Sequence, residues 1–512
     1  MQTLLGIDLG TSGVKAALFA ADNGDVLADA FVDYPLYHPH PGWAEQNPAE
    51  WWQATLSAVR TCLVQGATQG AQVSDVRGVG LSGQMHGVVL LDAEQRVLRP
   101  CIIWADQRSE AQCRWMTERV GASRLIEYVS NPALTGFTAP KLLWIRENEP
   151  EIFAKASTLL LPKDYIRYRL TGVMAMEISD AAGTCLLDVK HGKWSEEVLK
   201  ALELAPSLLP PVVAADAACG TITEEVAELS GLRAGTPVAG GGADNACGAV
   251  GNGVVVPGLG LVSIGTSGVV LAYAETPQVD TSGPVPRVHT FNHAVPHAWY
   301  LMGVTQGAGL SLRWVRDNIG LLERALERWT AMDVYELLAK EAESVTPGSD
   351  GLIFLPYLQG ERTPHLDAYA RGGWIGLTAR HDRRHLIRSV LEGVAFSLKD
   401  CFGILREQGL QLEQMRATGG GAKSPLWRQI ITDVLGVELV TTNATEGPAF
   451  GAALLAGVAG GVYPSVQQAC EQTVRIVERT EPNPQAAQAY AKAYETYRAL
   501  YPALKPIISH PT

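Results

Sequence analysis

Apolar and polar residues alternate near the start of the chain in a way that predicts a β-hairpin. Leu4–Leu18 reads LLGIDLGTSGVKAAL, two apolar runs joined by a short polar turn, and the alternation in Val26–Val32 adds a third strand. The pattern returns at Gly260–Ala272, GLVSIGTSGVVLA, so the pentapeptide GTSGV occurs at Gly10–Val14 and again at Gly265–Val269. Two such hairpins, half a chain apart, predict two similar domains whose turns face a common ligand in the cleft between them. We predict their bounds as residues 1–253 and 254–512.

Helical spacing appears between and after the hairpins. Asn47-Pro48 has the residue types of a helix N-cap and first position, and Trp52–Leu63 then repeats apolar residues three to four apart. A second amphipathic helix is predicted within Gly136–Asn148, GFTAPKLLWIREN. A C-terminal helix is predicted to begin at Asn483-Pro484, with a stripe of tyrosines that we expect to be a docking surface.

The segment Gly78–Gly83 matches G-x-G-x-x-G, the spacing of a dinucleotide-binding turn. Such a turn should open a helix, but the residues that follow lead into Val88–Leu91, which has the pattern of another strand. We therefore reject a dinucleotide site. The intervening trio Gln84, Met85 and His86 is polar–apolar–polar, and from spacing alone it points into a cleft as readily as into a core.

A Gly-Thr-Ser-Gly turn offers backbone N–H groups and two small hydroxyls, which suit the binding of phosphate oxygens. Two further glycine-rich turns, in Gly303–Arg316 and in Thr418–Ser424, each precede a helical stretch. Both are candidate binding sites for an anion or a nucleotide. The P-loop pattern G-x-x-x-x-G-K-[ST] does not occur in the sequence, and neither does the protein-kinase motif set. If a nucleotide binds, we predict that the paired hairpin turns bind its phosphates.

Ala239–Gly251 reads AGGGADNACGAVG and holds a single carboxylate, Asp244, among small and apolar residues. Glycine allows close backbone approach and positive φ, so this side chain would be presented on a bare turn at the edge of a core. A purely structural turn is the alternative interpretation. The position near the middle of the chain, just before the repeated hairpin, favours a functional carboxylate.

Asp8 ends the first predicted strand, two residues before Gly10. A carboxylate beside a phosphate-binding turn is unfavourable unless a cation intervenes, so Asp8 is a candidate ligand for Mg²⁺, directly or through water. The alternative is that it caps the N–H groups of the turn. Lys15 is near enough in sequence to meet a phosphate, and a solvated lysine is the other interpretation.

Charge and cysteine content narrow the classes of partner. The net charge of −12 and the pI near 5.5 argue against nucleic acid. Eight cysteines without C-x-x-C, and an N-terminus without a signal pattern, favour a reduced, cytoplasmic protein. The longest uncharged run, Gly447–Gln467, is rich in small residues and favours a buried helix over a membrane span.

Several polar groups are ambiguous. Lys163–Tyr165 and Ser179–Gly183 fall on predicted turns, where they could simply be surface. His289, His293 and His297 are spaced four apart, but Pro296 argues against a single helical face, and no cysteine or acidic cluster accompanies them. We therefore interpret these histidines as unrelated to a metal.

Together these segments resemble the FGGY family of carbohydrate kinases from about Leu4 to about Leu500. The two GTSG hairpins, the GGGADN turn, Gly136–Asn148 and Gly372–Glu392 carry the resemblance, the last two at nearly every defined position of the family's signatures. Five further segments are most similar to members that phosphorylate D-xylulose: Ser82–Gly87, Ile102–Arg108, Leu160–Gly172, Ser179–Thr184 and Leu355–His365.

The resemblance implies an α/β fold of two actin-like, ribonuclease H-like domains flanking a central catalytic cleft. It implies ATP and Mg²⁺ between the domains, with a small-molecule sugar, D-xylulose, bound mainly by the N-terminal domain. It also implies a homodimer, which we expect, from the charge, the cysteines and the uncharged run described above, to be cytoplasmic and to have no nucleic-acid or membrane partner.

Site residues follow from the same resemblance, position by position. Asp244 matches the general base, and Asp8 matches the carboxylate at the metal and the phosphates. Predicted sugar ligands are Gln84, Met85, His86 and Asn245. Predicted nucleotide-binding residues are Gly10, Thr11, Ser12, Lys15, Thr266, Gly309, Gly420 and Gly421.

Two positions depart from the family pattern. Ala243 stands where glycine commonly precedes the base, and its Cβ restricts the turn. Arg313 stands where glycerol-specific relatives have glutamine, which leaves its role open. Ribulose, gluconate and glycerol are the alternative substrates. The alternative classes of protein are an actin- or chaperone-like ATPase and a non-catalytic sugar sensor.

Overall fold

The computed structural model describes residues 1–330 and 332–508. Up to Gly251 the chain forms short and long strands in several small sheets and one large one. The strands are β1 (Thr3–Leu9), β2 (Gly13–Ala20), β3 (Val26–Asp33), β4 (Glu45–Gln46), β5 (Val76–Gly83), β6 (Val89–Leu91), β7 (Cys101–Ile102), β8 (Thr158–Leu160), β9 (Met176–Glu177), β10 (Leu187–Asp188), β11 (Lys193–Trp194), β12 (Val212–Val213), β13 (Ala218–Thr221), β14 (Pro237–Ala239) and β15 (Gly242–Ala243). The helices are α1 (Pro48–Thr68), α2 (Glu110–Val120), α3 (Ala122–Val129), α4 (Thr138–Asn148), α5 (Pro150–Lys155), α6 (Pro162–Thr171), α7 (Ile178–Ala181), α8 (Glu196–Ala201), α9 (Glu224–Ser230) and α10 (Asp244–Gly251), with 3₁₀ turns at Val73–Asp75, Ala182–Thr184 and Pro206–Leu208.

The remainder of the chain repeats the alternation of sheet and helix. Its strands are β16 (Gly258–Ile264), β17 (Gly268–Ala274), β18 (His289–Asn292), β19 (Trp299–Thr305), β20 (Ile353–Leu355), β21 (Gly373–Ile375), β22 (Leu412–Thr418), β23 (Glu438–Thr442) and β24 (Ile476–Thr480). Its helices are α11 (Gly309–Asn318), α12 (Leu321–Thr330), α13 (Val334–Glu343), α14 (Arg383–Glu407), α15 (Pro425–Leu435), α16 (Gly447–Ala459), α17 (Val466–Thr473) and α18 (Pro484–Ile508), with 3₁₀ turns at Ser349–Gly351 and Gly420–Lys423.

Each half of the chain is built on a mixed sheet with the same centre. In the described residues, the N-terminal sheet runs in the order β13-β14-β5-β1-β2-β3, with β15 also on β5, and the C-terminal sheet runs β18-β19-β17-β16-β22-β23-β24. In both sheets the first strand pairs antiparallel with the second arm of its hairpin and parallel with a strand on its other side. The predicted strand–turn–strand repeat is therefore a repeat of topology as well as of sequence.

The helix predicted at Asn47-Pro48 begins there. Asn47 is the N-cap, and its side-chain oxygen accepts a hydrogen bond from the backbone N–H of Ala49 at 3.0 Å. The helix buries Trp51 and Val59 in the core over the N-terminal sheet. The interpretation of Trp52–Leu63 as a packing face is confirmed.

Helix α16 lies directly on the N-terminal sheet, although it belongs to the last quarter of the chain. A Cβ atom on Gly78 would overlap the backbone carbonyl of Ala456, and one on Gly80 would overlap that of Ala452. The glycines of the G-x-G-x-x-G segment therefore permit close helix–sheet packing, and the whole segment lies in β5. The rejection of a dinucleotide turn is confirmed.

The uncharged run Gly447–Gln467 forms the buried helix α16 and then a turn before α17 begins at Val466. Among the described residues, no helix combines the length and the apolar character needed to cross a membrane. The eight cysteines are all described, and all are buried and free.

The C-terminal helix begins at Pro484, as predicted, but its tyrosine stripe faces inward. Tyr490, Tyr497 and Tyr501 are buried in the C-terminal core, and the hydroxyl groups of Tyr497 and Tyr357 are hydrogen-bonded at 2.7 Å. The tyrosine stripe therefore docks on the C-terminal core of its own chain. The domain boundary between residues 253 and 254 stays a prediction, since one hydrophobic core contains residues of both halves.

Candidate active site

Asp8 lies where three strands bring their polar residues together. In the register of the N-terminal sheet it is opposite Lys15 on β2 and Ser82 on β5. The turn that follows is closed by a hydrogen bond from the backbone N–H of Gly10 to the carbonyl of Gly13 at 3.0 Å. Thr11 is half-buried and Ser12 is exposed, so the turn presents its groups to solvent.

Side chains from three other segments hold this first turn. The amide of Gln46 donates to the carbonyl of Thr11 at 2.6 Å, and Gln84 donates in turn to Gln46 at 2.7 Å. The indole of Trp104 donates to the Thr11 hydroxyl at 2.9 Å. Gln84 is only 1% exposed, so it lies beneath the turn and supports it. Its role as a sugar ligand stays a prediction, and this position suits a support better.

The Asp8 carboxylate has the properties expected of a metal ligand. Its Oδ1 is buried and has no hydrogen-bond partner within the described part of the chain. Burial raises the pKa of Asp8, while the Ser82 hydroxyl and the Lys15 ammonium group oppose that shift. No group of three or more His, Cys, Asp or Glu side chains in the described residues is arranged to hold a metal ion. Asp8 therefore fits a Mg²⁺ ion whose other ligands are water and phosphate.

Lys15 makes two ion pairs. Its ammonium group pairs closely with Glu446, which precedes α16, and lies 3.8 Å from Asp29. A phosphate would compete with these carboxylates for the lysine. The predicted contact between Lys15 and nucleotide stays a prediction.

Asp244 is the first residue of α10 and follows a glycine turn. Gly241 has φ +81°, a conformation that side chains rarely adopt, whereas Ala243 has φ −55° and ψ 148°. The Cβ of Ala243 is therefore accommodated without backbone strain. The departure from glycine at position 243 leaves the turn in an ordinary extended conformation.

One oxygen of Asp244 is fixed by its neighbour. The backbone N–H and the side-chain amide of Asn245 donate to Oδ1 at 2.7 and 2.9 Å, so Oδ2 is the oxygen left for a ligand among the described contacts. Burial and the charge of Asp8 raise the pKa of Asp244 to about 7, against the opposing effect of the Asn245 N–H. A carboxylate with this pKa is a competent base near neutral pH.

Met85 and His86 lie beside the base. The Asn245 amide also contacts the Met85 sulfur at 3.7 Å. His86 has φ +73°, which is uncommon outside glycine and typical of functional sites. Its Nδ1 lies 2.7 Å from the carbonyl oxygen of Gly183. Because a carbonyl only accepts, Nδ1 carries the proton, and Nε2 is left as an acceptor for a substrate hydroxyl.

His86 is neutral at physiological pH. Burial lowers the pKa of this imidazole well below its usual value, and the charges of Lys141 and Arg362 add to the effect. The His86 ring packs on Phe137 with ring centroids 4.6 Å apart. The imidazole is thus held as an uncharged hydrogen-bonding group on an aromatic wall.

The C-terminal half completes that wall. His289 and Phe291, both on β18, pack against Phe137 at 5.6 and 6.1 Å, and His289 Nδ1 lies 3.0 Å from the amide oxygen of Asn131. Burial lowers the pKa of His289 to about 3 and that of His293 to about 4, the nearby Arg362 charge contributing to the first. His289 thus packs against the N-terminal half and is hydrogen-bonded to it, whereas His293 packs on Tyr273 and Tyr300 within the C-terminal half and His297 is exposed.

The predicted nucleotide side is assembled from backbone. The N–H groups of Gly309 and Leu310, at the start of α11, donate to the carbonyl oxygens of Gly265 and Thr266 at 2.8 and 3.0 Å. A Cβ on Gly309 would lie 2.5 Å from the Gly265 oxygen, so only glycine fits. Thr266 is exposed at this turn.

Gly420 and Gly421 begin the 3₁₀ turn after β22, which is the parallel neighbour of β16. Gly420 is exposed, and a Cβ added there would meet nothing within 4 Å among the described residues. Arg313 is exposed on α11, and its role stays open. The predicted nucleotide residues thus lie at the corresponding edge of the C-terminal sheet, and their contact with nucleotide stays a prediction.

Sequence reasoning missed a buried cluster of charges behind the base. Lys163, Asp164, Glu177 and Asp180 are all 0% exposed, although the sequence left a surface position open for the two segments concerned. The signal available in the sequence was the apolar flank of each segment, because Leu159–Leu161 and Ala181–Ala182 are themselves buried.

Family models confirm the resemblance. The N-terminal domain of the FGGY family of carbohydrate kinases matches residues 3–251, and the C-terminal domain of the same family matches residues 260–460. Together they span most of the chain.

Individual relatives match over nearly the full length. The xylulose kinase of Bacillus subtilis (strain 168) is 40% identical over 501 residues, 98% of this chain and 97% of the relative, and that of Escherichia coli (strain K12) is 41% identical over 506 residues, 99% and 100%.

A crystal structure of a xyloylose kinase from Brucella ovis superposes with a TM-score of 0.89 at 39% identity, covering 99% of this chain and all of that one. This agreement confirms the α/β fold with two actin-like domains. The chain belongs to the FGGY family of carbohydrate kinases.

Proposed function

We propose that this carbohydrate kinase transfers the terminal phosphoryl group of ATP to O5 of D-xylulose, producing D-xylulose 5-phosphate and ADP. The identity of 40–41% to two xylulose kinases, over almost the whole of each chain, supports the substrate. The observation that carries the reaction is the Asp244 carboxylate, whose one oxygen is fixed by Asn245 and whose other oxygen is available.

Asp244 acts as the general base. As O5 attacks the terminal phosphorus, its O–H bond breaks and the proton passes to Asp244 Oδ2, while the bond from that phosphorus to the bridging oxygen of ADP breaks. Phosphoryl transfer needs positioning and charge stabilisation more than covalent catalysis, so one well-placed base is sufficient. With the pKa raised to about 7, Asp244 is ionised in a large fraction of molecules at neutral pH.

The sugar is oriented by groups beside that base. His86 Nε2 accepts a hydrogen bond from a sugar hydroxyl, since its Nδ1–H is already bonded to the Gly183 carbonyl. Met85 and Asn245 are in contact with one another, which couples the sugar side to the base. A neutral imidazole accepts from a hydroxyl without placing a charge against an uncharged sugar.

The twin hairpin turns hold the triphosphate. Backbone N–H groups and hydroxyls at Gly10–Ser12 and at Thr266 face the phosphates, and Gly309, Gly420 and Gly421 leave room for the nucleotide. We propose that Asp8 would hold Mg²⁺, directly or through water. When bound, Mg²⁺ neutralises charge on the phosphate oxygens.

Two further features of the family remain proposals for this chain. We propose that it is a homodimer, which light scattering on a gel-filtered sample measures directly. We also propose a cytoplasmic location, supported by eight buried free thiols, since reduced cysteines persist in that compartment.

The test is ADP release with a panel of D-xylulose, ribulose, gluconate and glycerol, and with no sugar. We expect the highest kcat/KM with D-xylulose and little ADP without sugar. Asp244→Ala should lower kcat by about 10³-fold or more while ATP still binds. A higher kcat/KM for gluconate would identify a different substrate, sugar-independent hydrolysis would identify an ATPase, and normal turnover by Asp244→Ala would remove the base.

A further inference from the structure

Five charged side chains are completely buried behind the glycine turn that carries Asp244. Lys163 Nζ lies 2.9 Å from Asp164 Oδ1 and 3.7 Å from carboxylate oxygens of Glu177 and Asp180, and Arg167 pairs with Asp164 at 2.6 Å. All five are 0% exposed. Removing charges from water is costly, and a buried ion pair is weak evidence for stability. The cluster therefore calls for a role other than stabilisation of the fold.

The cluster is bonded to both ends of the turn before the base. Arg167 donates to the carbonyl of Gly240 at 2.8 Å. At the other end, the backbone N–H of Ala243 donates to the hydroxyl oxygen of Ser179 at 3.0 Å. Because Asp244 follows Ala243 directly, the position of this N–H determines where the base begins.

Ser179 is itself fixed by Glu177. Its hydroxyl donates to Glu177 Oε2 at 2.8 Å, and its backbone N–H donates to Glu177 Oε1, also at 2.8 Å. A serine hydroxyl has a single proton, so donation to Glu177 directs the oxygen lone pairs toward Ala243. Lys163 in turn lies beside the same Glu177 oxygen. A continuous path of contacts thus runs from the buried lysine to the residue before the base.

We propose that Ser179 is a positioning residue for phosphoryl transfer, which holds the Gly242–Ala243 peptide, directly before the base, through its hydroxyl and is oriented by the Glu177–Lys163 pair. The proposal rests on the role of Asp244 proposed above. Within the described residues, the hydrogen bonds of Ser179 go to Glu177 and Ala243 and not to the twin turns, so its loss should affect the chemical step and leave nucleotide binding intact. A displacement of the base by about 1 Å is enough to cost about 100-fold in rate.

Ser195 offers a matched control. It is also a buried serine that accepts a backbone N–H, that of Val198 at 3.3 Å, and donates to a glutamate, Glu197 at 3.4 Å. It caps α8, which packs on α2 and α3. Ser195→Ala therefore removes similar hydrogen bonds without touching the Asp244 turn.

The experiment compares Ser179→Ala and Ser195→Ala in the full-length enzyme by steady-state kinetics and thermal unfolding. We expect Ser179→Ala to lower kcat by about 10- to 100-fold with the KM for ATP changed less than about twofold. Ser195→Ala should lower the Tm by about as much as Ser179→Ala does, and its kcat should stay that of the parent enzyme. If Ser179→Ala is unstable, Ser179→Cys, which fills the same space with a weak acceptor, should show the same loss of kcat.

The proposal is overturned if Ser179→Ala or Ser179→Cys keeps kcat within about twofold of the parent enzyme, or if its kcat falls no more than that of Ser195→Ala. Asp244→Asn separates this failure from failure of the proposed base. An inactive Asp244→Asn beside a fully active Ser179→Ala would refute only the positioning role. An active Asp244→Asn would refute the base itself.

Discussion

The two hairpin turns share the sequence GTSGV but not the chemistry around it. In the first hairpin Asp8 stands two residues before the turn, and the corresponding position in the second is Ser263. Lys15 of the first hairpin corresponds to Val270 of the second. Both hairpins therefore keep a backbone turn suited to phosphate, while the carboxylate that could hold a cation and the lysine that could meet a phosphate occur in the first copy only.

The two turns are also supported differently. Side chains of Gln46 and Trp104 hold the first turn, whereas the second is held by backbone N–H groups of α11 on Gly265 and Thr266. Support by side chains fixes a turn beside the base. Support by a helix N-terminus adds further N–H groups and a favourable dipole at a place suited to phosphate. The comparison indicates a first turn that is held by side chains and flanked by charged groups, and a second turn that is held by backbone groups.

The largest expected effect comes from replacing Asp8, which distinguishes the first hairpin from the second. Asp8→Asn should lower kcat by about 10²- to 10³-fold, because it removes the charge that would hold Mg²⁺ at the phosphates. Ser263→Ala should stay within about threefold of the parent enzyme, because its hairpin has no such charge. The measurement is ADP production at saturating sugar and ATP over a range of MgCl₂ concentrations. Equal losses in the two variants would contradict the asymmetry.

A smaller effect is expected where the second turn rests on α11. Gly309→Ala places a Cβ 2.5 Å from the carbonyl oxygen of Gly265, which should shift the turn and raise the KM for ATP by about tenfold. Gly403→Ala is the control, because a Cβ there meets nothing within 4 Å in the described residues. Isothermal titration with an ATP analogue separates binding from turnover. If the KM for sugar rose and the KM for ATP did not change, the prediction that this turn binds nucleotide would be contradicted.

Local patterns in the sequence predicted the parts of the structure that depend on near neighbours. The hairpin repeat, the N-cap at Asn47 and the rejection of a dinucleotide turn at Gly78–Gly83 all follow from short-range periodicity and turn chemistry, and the structure confirms them. The resemblance to a family supplied Asp244 and Asp8, which spacing alone left open.

Contacts between distant segments were beyond the reach of those patterns. The packing of α16 on the glycines of β5, and the ion pair of Lys15 with Glu446, join residues more than 350 positions apart. Lys163 and Asp180 carry charges that normally indicate surface, and only the packing of their two segments shows that they pair with each other in the interior. The periodicity of hydrophobic residues along the chain carries no information about such pairs.

The smallest expected effect concerns stability, and it follows from the raised pKa of Asp244. Burial and the Asp8 charge raise that pKa to about 7, so the folded protein binds this proton more tightly than the unfolded chain does. The resulting stabilisation is complete below about pH 4 and is lost as the pH rises through 7. Asp244→Asn should therefore be more stable than the parent enzyme at pH 8, by roughly 2–5 °C in Tm, and close to it at pH 4–5.

Asp280 provides a control of opposite sign. Its burial is outweighed by hydrogen bonds from Arg287, which lower the pKa of this carboxyl, so its stabilisation is present above the unfolded pKa and is lost at low pH. Asp280→Asn should accordingly be less stable than the parent enzyme at pH 8. Differential scanning calorimetry at pH 5 and 8 measures both differences. If Asp244→Asn were also destabilised at pH 8, Asp244 could not be a base whose pKa is raised by burial and by the charge of Asp8, and the asymmetry between the two hairpins would lose its electrostatic basis.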